Sequence, residues 1–179
     1  NDKKAFTDLI AKEANCKPEE LLDWDLFLYN MSEPTIWGLN NEFFSSPKID
    51  DLQCAYSAFK AILDSKPSDR IAIISLFDNE EVGSGTRQGA LSDFLTSIME
   101  RIMFALHLNE DEKYINIASS FMISADNGHG VHPNYSDKSD VTNLPKLNNG
   151  ILIKYSANQK YTTDAATGAY LKALLQKNN

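Results

Sequence analysis

The run Ile71-Ala72-Ile73-Ile74-Ser75-Leu76-Phe77 ends abruptly in Asp78-Asn79-Glu80-Glu81-Val82-Gly83-Ser84. A β-branched apolar run of this length reads as a buried strand, and clustered carboxylates followed by glycine place charge at the rim of a sheet. Adjacent strand residues point to opposite sides. Glu80 and Glu81 can therefore serve two tasks at one site, Glu81 binding a metal and Glu80 handling a proton.

The neighbouring segments alternate in the same style. Leu52, Ala55, Phe59 and Ile62 predict a helix over 51–65, and Leu91, Phe94, Leu95, Ile98, Met99, Ile102 and Leu106 predict a longer one over 87–107. Residues 109–113 read as a charged loop and 115–125 as a second buried strand ending in Asp126. A polar loop over 127–150 leads to a third strand at 151–155, and the last helix covers 164–176. Strands alternating with helices predict an α/β architecture, a mixed sheet flanked by helices. Before residue 51 the pattern gives a helix over 5–13, a break with a short helix after Pro18, a strand over 24–30 and a second extended piece near 33–39. Residues 40–50 read as irregular.

Charge and composition narrow the partners. A net charge of −8 leaves no basic surplus for nucleic acid or an anionic membrane surface. No apolar run reaches the ~18–20 residues that span a bilayer. Two cysteines, Cys16 and Cys54, fit free thiols in a reducing, cytoplasmic setting. The first residues are Asn1-Asp2-Lys3-Lys4, without an initiator methionine or an apolar signal region, which reads as a segment of a longer chain.

Carboxylates recur at element boundaries: Asp50 before a helix, Glu80 and Glu81 after one strand, Asp126 after another. Open α/β sheets bind ligands beyond the carboxyl ends of their strands. Carboxylates gathered there repel one another, and a pair of divalent cations ~3.5–4 Å apart relieves the conflict while supplying hydrolytic chemistry. Plainer readings stand beside this one. Asp50 can cap the following helix, Glu80 and Glu81 can be turn carboxylates, and Asp126 can open an Asp-Asn-Gly turn. His129 and His132 share the histidine-rich stretch 126–135. Imidazole suits zinc, but shaping the loop is the simpler role. The chain lacks a Gly-x-Ser-x-Gly elbow, a phosphate loop with Gly-Lys-Ser/Thr, and a His-Glu-x-x-His helix.

Several ordered motifs resemble the aspartyl aminopeptidases, a family of dinuclear-zinc exopeptidases. They are Pro47-Lys48-Ile49-Asp50, Phe77 to Ser84 with Gln88-Gly89-Ala90, Ser120 to Asp126 with Val131-His132-Pro133-Asn134-Tyr135, and Gly150 to Lys154 with Gln159-Lys160-Tyr161. The resemblance implies a zinc-exopeptidase-like catalytic core, present in part, over 41–179. Residues 1–40 would be the end of an inserted dimerisation domain. It implies that Asp50 bridges two Zn2+ ions, that Glu81 and Asp126 each bind one, and that Glu80 is the general base. Lys154 would recognise an acidic N-terminal side chain of a peptide, with Tyr161, His129 and His132 near the substrate. Self-association into dimers and larger homo-oligomers follows from the same resemblance.

The sequence also departs from that pattern. The family draws one histidine ligand from an early His-x-Asp segment and another from near its C-terminus, and no histidine here precedes His107 or follows His132. Each zinc would lack a ligand, so this chain alone should bind metal poorly. Asp51 stands where relatives often have Asn, and Asn127-Gly128 replaces a bulkier pair. The competing reading is a non-catalytic assembly fragment of such an enzyme.

Overall fold

The spacing of Phe6, Leu9 and Ile10 produces the first helix, α1 (Lys3–Glu13), in a computed structural model that describes residues 3–178. The chain divides into two compact units, Asn1–Ile49 and Asp50–Asn179. In the first, α1 buries Ala11 and ends where Asn15 turns to φ 54° and Cys16 N–H closes onto Ala11 O at 3.0 Å. A 3-10 turn follows at Pro18–Glu20, anchored by Lys17 N–H on the Glu20 carboxylate. Residues 24–30 are not a strand. The extended piece near 33–39 yields β1 (Thr35–Trp37), which pairs antiparallel with β2 (Phe43–Ser45) in the register Thr35↔Ser45, Ile36↔Phe44, Trp37↔Phe43. Trp37 and Phe43 stack with ring centroids 4.7 Å apart, and Trp37 Nε1 donates to Ser45 Oγ at 2.7 Å. This cross-strand pair makes a hairpin of residues that the sequence pattern leaves irregular.

The second unit opens on α2 (Ile49–Asp64), in which Asp50 (ψ 106°) and Asp51 (φ −118°, ψ 19°) depart from helical dihedrals. The expected helix over 87–107 is shorter, α3 (Phe94–Ala105), because residues 78–92 close a loop first. In that loop Asp78 N–H donates to Gln88 O, Ser84 N–H to Asn79 O, and Leu91 N–H to Ser84 O, all at 3.0–3.1 Å. His107 lies just past α3 with φ 59°. The charged loop and the start of the second strand are instead α4 (Glu110–Ala118). Asn109 accepts from Glu112 N–H and the Glu112 carboxylate from Asn109 N–H, a capping box with acidic residues in the first turn. A 3-10 turn occupies Pro133–Lys138, and α5 (Ala165–Lys177) starts from Asp164 as its N-cap.

The alternation of helices with extended apolar segments gives a partial α/β domain. Its sheet, however, departs from the expected mixed one. Segments 71–77, 119–132 and 151–156 run without regular strand pairing, and among the described residues the only ladder is β1–β2. A parallel strand is stable when both of its faces are covered, whereas Ile71, Leu76 and Ile151 are 60%, 57% and 70% exposed. The accessible surface is 16311 Å², against about 8,700 Å² for a folded monomer of this mass. Among the described residues no helix is long and apolar enough to cross a membrane.

Candidate metal centre

Three parts of the second unit bring carboxylates together. Asp50 and Asp51 precede the regular turns of α2, and Asp126 lies within the extended segment that leaves α4. Oxygen atoms of Asp50, Asp51 and Asp126 lie within 4.8 Å of one another. The 78–92 loop, whose base Phe77 packs edge-on against Phe94 of α3 (centroids 6.2 Å apart), supplies Glu80 and Glu81. Asp50, Glu80, Glu81, Asp126, His129, Lys154 and Tyr161 all line one cleft of about 420 Å³, with Asn127, Gly128 and Leu152 completing the wall.

The cleft carries unbalanced negative charge. Burial, then the charges of Asp126 and Asp51, raises the Asp50 carboxyl above its ordinary range. The Glu80 carboxyl is raised chiefly by its neighbour Glu81, with smaller contributions from desolvation and from Asp126, Asp50 and Asp51. Lys154 Nζ pairs with Asp126 Oδ2 at 2.5 Å and donates to Asn127 O at 3.0 Å. Partial burial lowers the Lys154 ammonium, but the hydrogen bond and charge of Asp126 outweigh it and the net shift is upward. The Tyr161 ring lies 6.0 Å from Nζ.

These residues fit a divalent cation. Asp51 Oδ1 is covered and has no hydrogen-bond partner, an orphan acceptor at the edge of a carboxylate cluster. The close group offers only oxygen donors. Carboxylates serve Zn2+, but oxygen-only sets are equally suited to Mg2+ or Mn2+.

Seven of the eight expected site residues line the cleft. Glu81 lines it but is outside the close group of Asp50, Asp51 and Asp126. His132 is not among the lining residues. Its Nδ1 accepts from Asn134 N–H at 3.2 Å and its ring lies 5.0 Å from Tyr135, so it shapes the 3-10 turn. Two participants escaped the sequence reading as site residues. Asp51 was one position from a predicted ligand, and its signal was the doubled Asp50-Asp51. Asn127 receives the Cys54 thiol on Oδ1 at 3.0 Å and donates from Nδ2 to Gln53 Oε1 at 3.0 Å. Burial pushes the Cys54 thiol up, and the adjacent Asp51 adds to the shift, so it remains a donor. Nothing local in the sequence reports these contacts, which span 73 and 74 positions.

A carboxylate-lined cleft on a partial α/β domain is an arrangement that metal-dependent hydrolases can use. The chain belongs to the Aminopeptidase I zinc metalloprotease (M18) family, which it matches over residues 1–179. It is 43% identical over 168 residues to a probable M18 family aminopeptidase 2 of Clostridium novyi (strain NT), covering 94% of this chain and 39% of that protein. It is 38% identical over 178 residues to an aspartyl aminopeptidase of Caenorhabditis elegans, covering 96% of this chain and 37% of that one. Its fold matches the S. cerevesiae mApe1 dodecamer with a TM-score of 0.77 at 30% identity, over 97% of this chain and 41% of that one. The chain thus spans about two-fifths of the length of these relatives.

Proposed function

We propose that this chain forms part of a dinuclear zinc aminopeptidase that releases N-terminal Asp or Glu from peptides. The observation that carries the reading is the convergence of Asp50, Glu80, Glu81 and Asp126 with Lys154 in one cleft. Two divalent cations on Asp50, Glu81 and Asp126, with ligands from outside the chain, would acidify a water and polarise the scissile carbonyl. Glu80, on the lining of the same cleft, takes the proton of the attacking water and returns it to the departing amine. Lys154, with Tyr161 beside it, pairs with the acidic side chain of the substrate. His129 lines the same space, and His132 acts through the turn it shapes.

The domain assignment belongs to the same proposal. Residues 1–40 end an inserted dimerisation domain and 41–179 contribute to a catalytic domain. The described segments leave apolar faces open, which suits coverage by further segments of a longer polypeptide and by copies of itself in a homo-oligomer, in the cytoplasm.

The test is Glu80→Gln in the full-length protein. Turnover of an Asp-peptide should fall by at least about a hundredfold while metal content stays near that of the parent. Turnover within a few-fold of the parent would refute the assignment. The second reading, a non-catalytic assembly segment, is favoured by the absence of histidine from the close acidic group. Asp-peptide hydrolysis lost in Glu80→Gln would refute it. A full-length protein that oligomerises without hydrolysing any N-terminal residue would support it.

A further inference from the structure

The extended segment that carries Asp126 is not held by a regular ladder. Its charge is repelled by Asp50, since both carboxylates lie in the same close group. Lys154 Nζ holds Asp126 itself through Oδ2 at 2.5 Å, and a separate set of contacts holds the next residue to α2. Three hydrogen bonds from distant parts of the chain converge on Asn127. The Cys54 thiol donates to Oδ1 at 3.0 Å, Nδ2 donates to Gln53 Oε1 at 3.0 Å, and Lys154 Nζ donates to the main-chain carbonyl at 3.0 Å. Gln53 and Cys54 follow Asp50 and Asp51 on α2, so the amide grips the helix next to its carboxylates. Asn127 is half-buried and adjoins Asp126, so little slack separates the grip from the ligand. The small Gly128 next to it lets Leu152 close in: a Cβ there would meet the Leu152 tip.

We propose that Asn127 is a positioning residue which, by bridging Gln53 and Cys54 through its side-chain amide, holds Asp126 within metal-sharing reach of Asp50. The inference rests on the reading of Asp50 and Asp126 as metal ligands. Groups that orient ligands in this way are worth about ten- to a hundredfold in metal affinity. The contact is an amide clamped by a donor and an acceptor, so the hydrogen-bonding pattern matters and not only the volume filled.

The test is Zn2+ titration of the full-length protein against a chelating dye, with the visible spectrum of the Co2+-loaded protein as a reporter of ligand geometry. Asn127→Leu, close in size but without the amide, should weaken Zn2+ about tenfold or more and alter the Co2+ bands. Cys54→Ser keeps a donor and should bind as the parent does, while Cys54→Val, similar in size but without a donor, should weaken binding as Asn127→Leu does. Equal, near-parent affinity for Cys54→Ser and Cys54→Val would overturn the proposal even if Asn127→Leu fails to fold. Asp126→Asn separates the two levels. If it loses Zn2+ affinity while Asn127→Leu binds like the parent, the positioning role is wrong and the metal reading stands. If Asp126→Asn itself binds Zn2+ like the parent, both fall.

Discussion

Replacing Gly89 by alanine should unlatch the loop that carries Glu80 and Glu81. Gly89 is buried, and a Cβ built on it would lie 2.5 Å from Ser84 C and 2.8 Å from Ser84 Cα, overlapping the Ser84 carbonyl oxygen. Ordinary carbon contacts are ~3.5–4.0 Å, so the Ser84 backbone must retreat by about 1 Å. That residue cannot move freely. It sits at φ 62°, its N–H is bonded to Asn79 O at 3.0 Å, and its carbonyl receives Leu91 N–H at 3.1 Å. Losing both bonds costs ~1 kcal/mol each, and overpacking adds ~1–3 kcal/mol. The reduced freedom of the unfolded chain returns only ~0.4–1 kcal/mol. The net destabilisation is about 2–5 kcal/mol. Denaturant unfolding of the full-length protein measures it, and peptide hydrolysis reports whether the loop still presents Glu80. Gly85→Ala is the control, because a Cβ there has only Gly83 O at 4.0 Å, and it should be neutral or slightly stabilising. Gly89→Ala unfolding within about 0.5 kcal/mol of Gly85→Ala would refute the tightness ascribed to the Ser84–Leu91 closure.

Asn109→Ala removes the acceptor for Glu112 N–H and should cost ~1 kcal/mol, seen as a lower unfolding midpoint with an unchanged denaturant slope. The Asp164 carboxyl is held below its ordinary value, first by the Thr167 hydroxyl and then by Thr167 N–H. A depressed carboxylate contributes stability above its unfolded pKa, and that contribution is lost as pH falls through the folded value. Unfolding midpoints followed downward from pH 5 should therefore drop less steeply in Asp164→Ala than in the parent; equal slopes would remove the cap's role.

The difference between what sequence patterns revealed and what they hid is physical. The candidate residues Asp50, Glu80, Glu81 and Asp126 stand out in the chain because they sit at element ends, and the structure brings them to one cleft. Helices were legible where the apolar spacing was local, as in α1, α2 and α5. α3 starts later than the pattern predicts because Leu91 fits the helical stripe while its backbone, like that of Gln88, closes the 78–92 loop. α4 forms where the pattern predicts a loop and a strand, and Asn109 with Glu112, a capping box, is the local signal for it. The strands over 71–77, 115–125 and 151–155 were inferred from hydrophobicity, which reports a wish to be covered and not the identity of the cover. Pairing is a property of two segments, and no single run encodes its partner. Asn127 was missed for the same reason, since its value lies in reaching Gln53 and Cys54.

Lys154 brings the charge problem to a test. The lining of the cleft holds four carboxylates and one lysine, and that lysine is bound to Asp126. A cation arriving at Asp126 sits beside the positive charge of the ammonium. With Nζ donating to Asp126 and to Asn127 O, one of its three N–H groups is left for a substrate carboxylate. The same ammonium therefore bears on metal loading, by repulsion, and on recognition of an acidic residue, by attraction. With the Lys154 and Asp126 side chains 25% and 46% exposed, the pair is worth at most ~1 kcal/mol. Lys154→Ala should accordingly bind Zn2+ up to about fivefold more tightly in a chelator competition, while losing more activity on N-terminal Asp than on a neutral residue. The two changes have opposite signs, which loss of fold cannot imitate. Weaker metal binding would show that Lys154 supports the cluster and does not compete for it. Equal loss on acidic and neutral substrates would show that it does not read the substrate's charge.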